Sequence, residues 1–322
     1  MGKGSVSMKI LTLNTNSHAR DFRREELDKT IHFLAEYMRK NQVDIAALQE
    51  CGQTSEAAHW QGEIPAGYHP CNSGIALKED NAASLLAGVL AEAGQPYHWT
   101  WGGIKQGYGK YDEGLAIFSR RPIRETDFFT VSRQDSFDNW KTRKVLGVSV
   151  KLQKHIYWFY DVHLGWWQDE EEPFREQMQR LQEHIFCTEP AKNSVFPPGL
   201  CSCKIDYRTS DSDDALPEKK PCVLLMGDFN SPAHVHGEGY SMVKDLGWKD
   251  TWEIAETKDD GITVPGAIDG WENEKTRGMR IDYIWTDGEM RVLSSKVVFS
   301  GGEEPVISDH FGVAVEIEEY DS

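Results

Sequence analysis

The stretch Val223-Leu224-Leu225-Met226-Gly227-Asp228-Phe229-Asn230 joins a short apolar run directly to an acid and an amide. Consecutive apolar residues bounded by polar ones read as a strand buried on both faces. Such a strand delivers Asp228 and Asn230 at its exit, where side chains from several strands can converge on a pocket. Gly-Asp-Phe-Asn suits a plain turn equally well, with Asp and Asn bonding to their own backbone. Taken alone, the motif leaves both readings open.

The same arrangement recurs along the chain. Ile10 to Leu13 leads into Asn14 and Asn16, Asp44 to Leu48 into Gln49 and Glu50, and Ile156 to Val162 into His163. Asp282 lies in the run Ile281 to Trp285, and Ser308-Asp309-His310 precedes the alternating Val313, Val315 and Ile317. Leu115 to Phe118 is another apolar run, and Leu146, Val148, Val150 and Leu152 alternate with polar or small residues, the mark of a strand with one buried face. Helical spacing appears at Leu27, Ile31, Leu34 and Met38, at Leu85, Leu86, Val89 and Leu90, and at Phe174, Met178, Leu181 and Ile185. Strands in hairpin succession with helices interspersed predict two sheets packed face to face under covering helices.

Composition bounds what such a fold can do. With 322 residues, 39% hydrophobic and 11 Trp, the chain can build a substantial core, and one domain over residues 8–319 is expected. Residues 188–220, with Pro197-Pro198 and a polar Ser210 to Asp214, read as an inserted loop. The six cysteines read as free thiols; a zinc knuckle from Cys187, Cys201, Cys203 and Cys222 is the alternative. A net charge of −17 disfavours a polyanionic partner and is easier to reconcile with a small anionic substrate. No apolar run reaches the roughly 18 to 20 residues of a membrane span and no secretory pattern opens the chain, so a cytoplasmic location is expected. No protein partner is indicated.

Asn14, Glu50, Asp228, Asn230, Asp282 and Asp309 supply oxygen donors of the kind Mg²⁺ prefers, and Mn²⁺ would be accepted as a substitute. In this order Leu-Asn-Thr-Asn at 13–16, Gln-Glu at 49–50, His163, Gly-Asp-Phe-Asn at 227–230, Arg-Ile-Asp-Tyr at 280–283 and Ser-Asp-His at 308–310 resemble the signature of the endonuclease/exonuclease/phosphatase superfamily. That resemblance implies a four-layered α/β sandwich and a metal-dependent phosphoesterase. It implies Glu50 as principal metal ligand, helped by Asn14 and Asp309. Asp228 would orient or deprotonate the attacking water, Asn230 would hold a phosphate oxygen and Asp282 would brace His310. His310 and His163 would stand as imidazolium donors to the phosphoryl oxygens. Several nucleases carry Asp where this chain has Asn16, which sets that position apart. A non-catalytic relative would be expected to lack Glu50, Asp228 or His310, and all three are present.

Substrate choice must come from the loops between the motifs. Lys110 to Leu115, Asn139 to Lys144, His163 to Trp167 and Asp269-Gly270-Trp271 are similar to the bacterial sugar-phosphate phosphatase branch that includes maltose 6′-phosphate phosphatases. Trp166 and Trp167 could offer a platform for a sugar ring, or simply pack; Lys141, Arg143 and Lys144 could hold a phosphate, or line a solvated edge. Gly102, Gly103, Gly107 and Gly109 suit either a phosphate-approaching loop or a glycine-rich turn. Asp169 to Glu172, before Pro173, suit the positive end of a helix. The expected reaction is hydrolysis of a sugar phosphomonoester such as maltose 6′-phosphate. A phosphodiesterase, nuclease or sphingomyelinase-like, is the alternative.

Overall fold

Period-two alternation sorts the strand side chains into layers. A computed structural model describes residues 7–18, 23–152, 155–186, 221–266 and 278–318. The 188–220 insertion, Cys187, Cys201, Cys203 and Asp269-Gly270-Trp271 lie outside the described residues. In chain order the elements are β1 (Ser7–Asn14), α1 (Arg24–Asn41), β2 (Ile45–Gln49), β3 (Gln53–Thr54), α2 (Ala82–Glu92), β4 (His98–Gly107), β5 (Tyr111–Ser119), β6 (Ile123–Thr130), β7 (Lys144–Leu152), β8 (His155–His163), α3 (Phe174–Phe186), β9 (Cys222–Asp228), α4 (Gly239–Asp245), β10 (Lys249–Asp250), α5 (Thr251–Ile254), β11 (Thr257–Lys258), β12 (Asp282–Thr286), β13 (Val292–Val298) and β14 (Gly312–Glu318). One sheet runs β11-β13-β14-β1-β2-β5-β3 with β4 paired to β5; the other runs β10-β12-β9-β8-β7-β6.

On β1, Met8 and Ile10 face the second sheet, whereas Leu11 and Leu13 face α1 and α2. On β9, Leu224 and Met226 enter the layer between the sheets while Val223 and Leu225 pack beneath α3 and α4. Both faces of β9 are therefore covered, which is why its sequence is continuously apolar rather than alternating. The result is the expected four-layered α/β sandwich, helices outside two packed sheets.

α1 buries Leu27, Ile31, Leu34 and Met38, carries Glu25 and Glu26 in its first turn and Arg39 and Lys40 in its last, and so complements its own dipole. Gly102 and Gly103 lie within β4, not in a loop: a Cβ would fall 2.6 Å from the Phe128 ring at the first and 2.9 Å from Ile75 at the second. These two are packing glycines, Gly107 ends β4, and Gly109 lies in the turn that follows with φ 66°, so the run divides between strand packing and a glycine-bearing turn. Cys51 and Cys71 are buried free thiols. Among the described residues no helix is long and apolar enough to cross a membrane.

Candidate active site

Strand direction gathers the polar residues at one end of the sandwich. β1 and β2 are parallel with Asn14 opposite Gln49, and β8 and β9 are parallel with His163 opposite Asp228. Their carboxyl ends thus meet at one edge. β12 runs antiparallel to β9 and starts there, pairing Asp282 with Asp228. The turn before β14, which is antiparallel to β1, brings Asp309 and His310 to the same edge. Gln49 Nε2 donates to Asp161 Oδ1 at 2.6 Å, tying the two sheets together just behind the cluster.

Backbone conformation aims the side chains. Gly227 has φ +136°, and a Cβ there would sit 2.0 Å from the Val162 carbonyl oxygen, so only glycine lets β9 approach β8 before Asp228. Asn16, Glu50 and Asn230 all adopt positive φ, 41°, 46° and 45°. Asn tolerates this region; Glu does not do so readily and must be held. The Glu50 carbonyl is held by the hydroxyls of Thr15 at 3.1 Å and Ser17 at 2.9 Å and by the Ser17 N–H at 3.2 Å.

Asp228 is the centre of the cluster. Its Oδ1 accepts from the Asn230 N–H at 2.8 Å, and its Oδ2 accepts from Asn14 Nδ2 at 3.2 Å. That same Oδ2 lies 3.7 Å from His163 Nε2 and 3.9 Å from His310 Nε2. Burial, then the charge of Asp282, raises the Asp228 carboxyl to about 7 against the pull of His310. Asn230 also donates through Nδ2 to the Leu164 carbonyl at 2.9 Å, which fixes the strand exit of β9 to that of β8.

The two imidazoles are not alike. Burial pulls His310 down, but the charge and hydrogen bond of Asp282, at 2.9 Å from Nδ1, with Asp228 and Asp309 beyond, outweigh it and raise the ring to about 10. A ring so raised adds stability that is fully present below its ordinary value near 6.5 and is lost as pH rises through about 10. In Asp282→Asn the His310 ring should titrate well below 10, as ring-proton NMR would read; an unmoved titration would remove Asp282 as the cause. His163 is held well below its usual range by burial and then by the charges of Arg143 and Lys105. Two like imidazolium donors were expected; the surroundings instead favour the charged form of His310 and the neutral form of His163.

Glu50 is the other pole. Burial, then Glu113 and Asp309, raises its carboxyl to about 7, although Asn14 Nδ2 donates to it at 2.9 Å. Ser308 donates to the Asn14 carbonyl at 2.7 Å, anchoring the exposed Asp309 turn beside Glu50. Acids crowded together are what a divalent cation relieves, and the donor set of Glu50, Asn14 and Asp309 fits a hard one. Asp228, Asp282 and His310 also bring ligand atoms within 4.8 Å of one another.

The loop residues divide. Lys141 is committed to Asp169 at 2.8 Å and Glu171 at 2.9 Å, which leaves Arg143 as the cation of that loop whose charge reaches His163. The acidic run before α3 clamps this loop: Asp169 also accepts from the Glu171 and Glu172 N–H groups, and Glu172 accepts from those of Arg133 and Gln134. Trp167 packs on Phe174 with Arg175 over its ring, as part of the outer layer. Trp166 instead stands 6.0 Å from the exposed Trp140, two residues past the Leu164 held by Asn230.

Sequence reading did not single out Lys105, and took Glu113 only as part of the loop stretch Lys110 to Leu115, most of which is strand β5 instead. Lys105 and Glu113 face each other across β4 and β5, with Lys105 Nζ 3.1 Å from Glu113 Oε1, and that oxygen lies 3.6 Å from His163 Nδ1. The available signal was charge inside two otherwise apolar or glycine-rich strands, Lys105 in β4 and Asp112 with Glu113 in β5.

The family model of the endonuclease/exonuclease/phosphatase family matches residues 11–310. Among solved structures, a family protein from Leptotrichia buccalis superposes with a TM-score of 0.73 at 28% identity, over 97% of this chain and 100% of its own. A mannosyl-6-phosphatase of Bacteroides thetaiotaomicron shares the fold with a TM-score of 0.59 at 17% identity, over 97% of this chain and 100% of its own. D. rerio TDP2, complexed with single-strand DNA product, does so with a TM-score of 0.54 at 13% identity, over 97% and 99%. No curated protein matches the chain. On the match across nearly its full length, the chain belongs to the endonuclease/exonuclease/phosphatase family and is a metal-dependent phosphoesterase.

Proposed function

We propose that residues 8–319 act as one catalytic domain, a Mg²⁺-dependent phosphomonoesterase that accepts Mn²⁺ and releases phosphate from a sugar phosphate such as maltose 6′-phosphate. The observation that carries the reading is Asp228, held near neutrality between a charged His310 and a neutral His163. A carboxylate of pKa about 7 suits general-base work at neutral pH, and here it would take the proton of the attacking water. Asn230 would orient a phosphate oxygen. His310, kept charged by Asp282, would stabilise the charge that builds on the phosphoryl group. His163 would contact the same group as a neutral partner. Glu50, with Asn14 and Asp309, would hold the Mg²⁺, which when bound supplies Lewis-acid stabilisation of a phosphate oxygen. Arg143 would meet the phosphate, and Trp166 with Trp140 would offer a ring-sized apolar surface at the mouth. Lys141 and Trp167 are engaged elsewhere and have no part in this reading.

A small anionic substrate accords with a net charge of −17, and a protein of the same fold is a mannosyl-6-phosphatase. Incubating the enzyme with Mg²⁺ and a panel of hexose and disaccharide phosphates should release orthophosphate, fastest from a disaccharide phosphate. Cleavage of single-stranded DNA with no release from any sugar phosphate would replace this reading by the phosphodiesterase one.

A further inference from the structure

Lys105 and Arg143 come from opposite sheets, Lys105 within β4 and Arg143 at the entry to β7. They are 5% and 4% exposed, an unusual depth for either residue type. Burying a cation is costly unless acceptors meet it. The flanking Lys141 and Lys144 each have carboxylate partners, at 2.8 Å and 2.6 Å. Arg143 between them is in no ion pair among the described residues, and its Nε has no hydrogen-bond partner there. Among the described residues Lys105 has one acceptor, Glu113 Oε1, for three N–H donors. Each cation's surroundings feel the other: burial and then Arg143 lower Lys105 to about 8, and both charges act on His163. Two cations buried at one site call for an anion that the described residues do not supply.

A phosphomonoester carries three unesterified oxygens, a diester only two. The Glu50 side, where a metal would sit, and the His310 side account for two of them. We propose that Lys105 and Arg143 bind the third, so that the pocket selects dianionic phosphate monoesters over diesters. This deepens the phosphatase reading and rests on it. A diester would present an ester group to buried donors, and sites built around a polar group reject analogues that lack it far more strongly than apolar pockets do.

Hydrolysis of p-nitrophenyl phosphate and of methyl p-nitrophenyl phosphate, both with Mg²⁺, tests the assignment. Lys105→Met and Arg143→Met should each lower kcat/KM on the monoester by about 100-fold and on the diester by about 3-fold or less. Arg143→Lys should recover part of the monoester loss. Equal losses on the two esters would overturn the proposal while leaving the phosphatase reading intact. A wild-type enzyme that releases phosphate from no monoester would overturn that reading instead. Inhibition of the wild-type enzyme needs no variant to fold: orthophosphate should inhibit at least about 10-fold more tightly than dimethyl phosphate, and equal inhibition would overturn the assignment.

Discussion

His310→Gln is expected to lower kcat for phosphate release by about 10³-fold with a much smaller change in KM. The ring is 4% exposed, bonded through Nδ1 to Asp282, and presents Nε2 3.9 Å from Asp228 Oδ2. Glutamine fills similar space and retains an N–H donor but cannot carry the charge that Asp282 sustains on the imidazole. If that charge acts on the phosphoryl oxygens as negative charge builds there, its loss is felt in the transition state more than in the bound substrate. Steady-state kinetics on the best sugar phosphate would read the effect, with a thermal melt to show that the variant folds. A kcat within a few-fold of wild type would take His310 out of the chemistry and leave the Asp282 pair as a structural one.

Glu50→Gln is expected to lower the Mg²⁺-activated rate by at least about 100-fold and to weaken activation by the metal. The same substitution has a second consequence that does not depend on turnover. Because burial and the neighbouring acids raise Glu50 from 4.5 to about 7, the metal-free folded chain binds a proton there that the unfolded chain has already lost. Stability of the metal-free protein should therefore fall as pH rises from about 4.5 through 7, and Asp228, also raised to about 7, adds to the slope. Added Mg²⁺ at pH 8 should reverse the fall in the wild type by binding the folded state alone. In Glu50→Gln the pH slope should shrink and the Mg²⁺-induced rise in Tm should vanish. A Tm rise equal to that of the wild type would place the ion elsewhere, with Asp228, Asp282 and His310 the next donor set to examine.

Both expectations concern residues that sequence reading had already singled out, and the reason is local. Asn14, Glu50, His163, Asp228 and Asn230 each follow an apolar run, so the pattern that makes the strand also marks its exit. Asp282 and the pair Asp309-His310 open strands in the opposite sense and are marked in the same way. The loops were less legible. Lys141 and Arg143 are two residues apart and looked equivalent, but Asp169 and Glu171, approaching from before α3, engage only Lys141. Trp166 and Trp167 are adjacent and diverge, one toward Trp140 and the other onto Phe174. Such differences depend on which way successive side chains point and on segments far away in the chain.

The places of β1, β2, β5, β7, β8, β9, β12 and β14 and the identity of the residues at their ends follow from the sequence alone, because hydrophobic period and strand boundary are properties of neighbouring residues. β4, β6 and β13 do not, and β7, which alternates as if one face were buried, is buried on both. Nor does the charge carried by the residues at the strand ends follow from the sequence. His310 and His163 are the same side chain, yet one is raised by the carboxylate of β12 and the other lowered by burial and by cations from β4 and the β7 entry. Lys105 and Glu113 acquire their place only when β4 pairs with β5 beside the end of β8. Electrostatic energies depend on distances and on the exclusion of water, and both are set where segments remote in the chain are packed together.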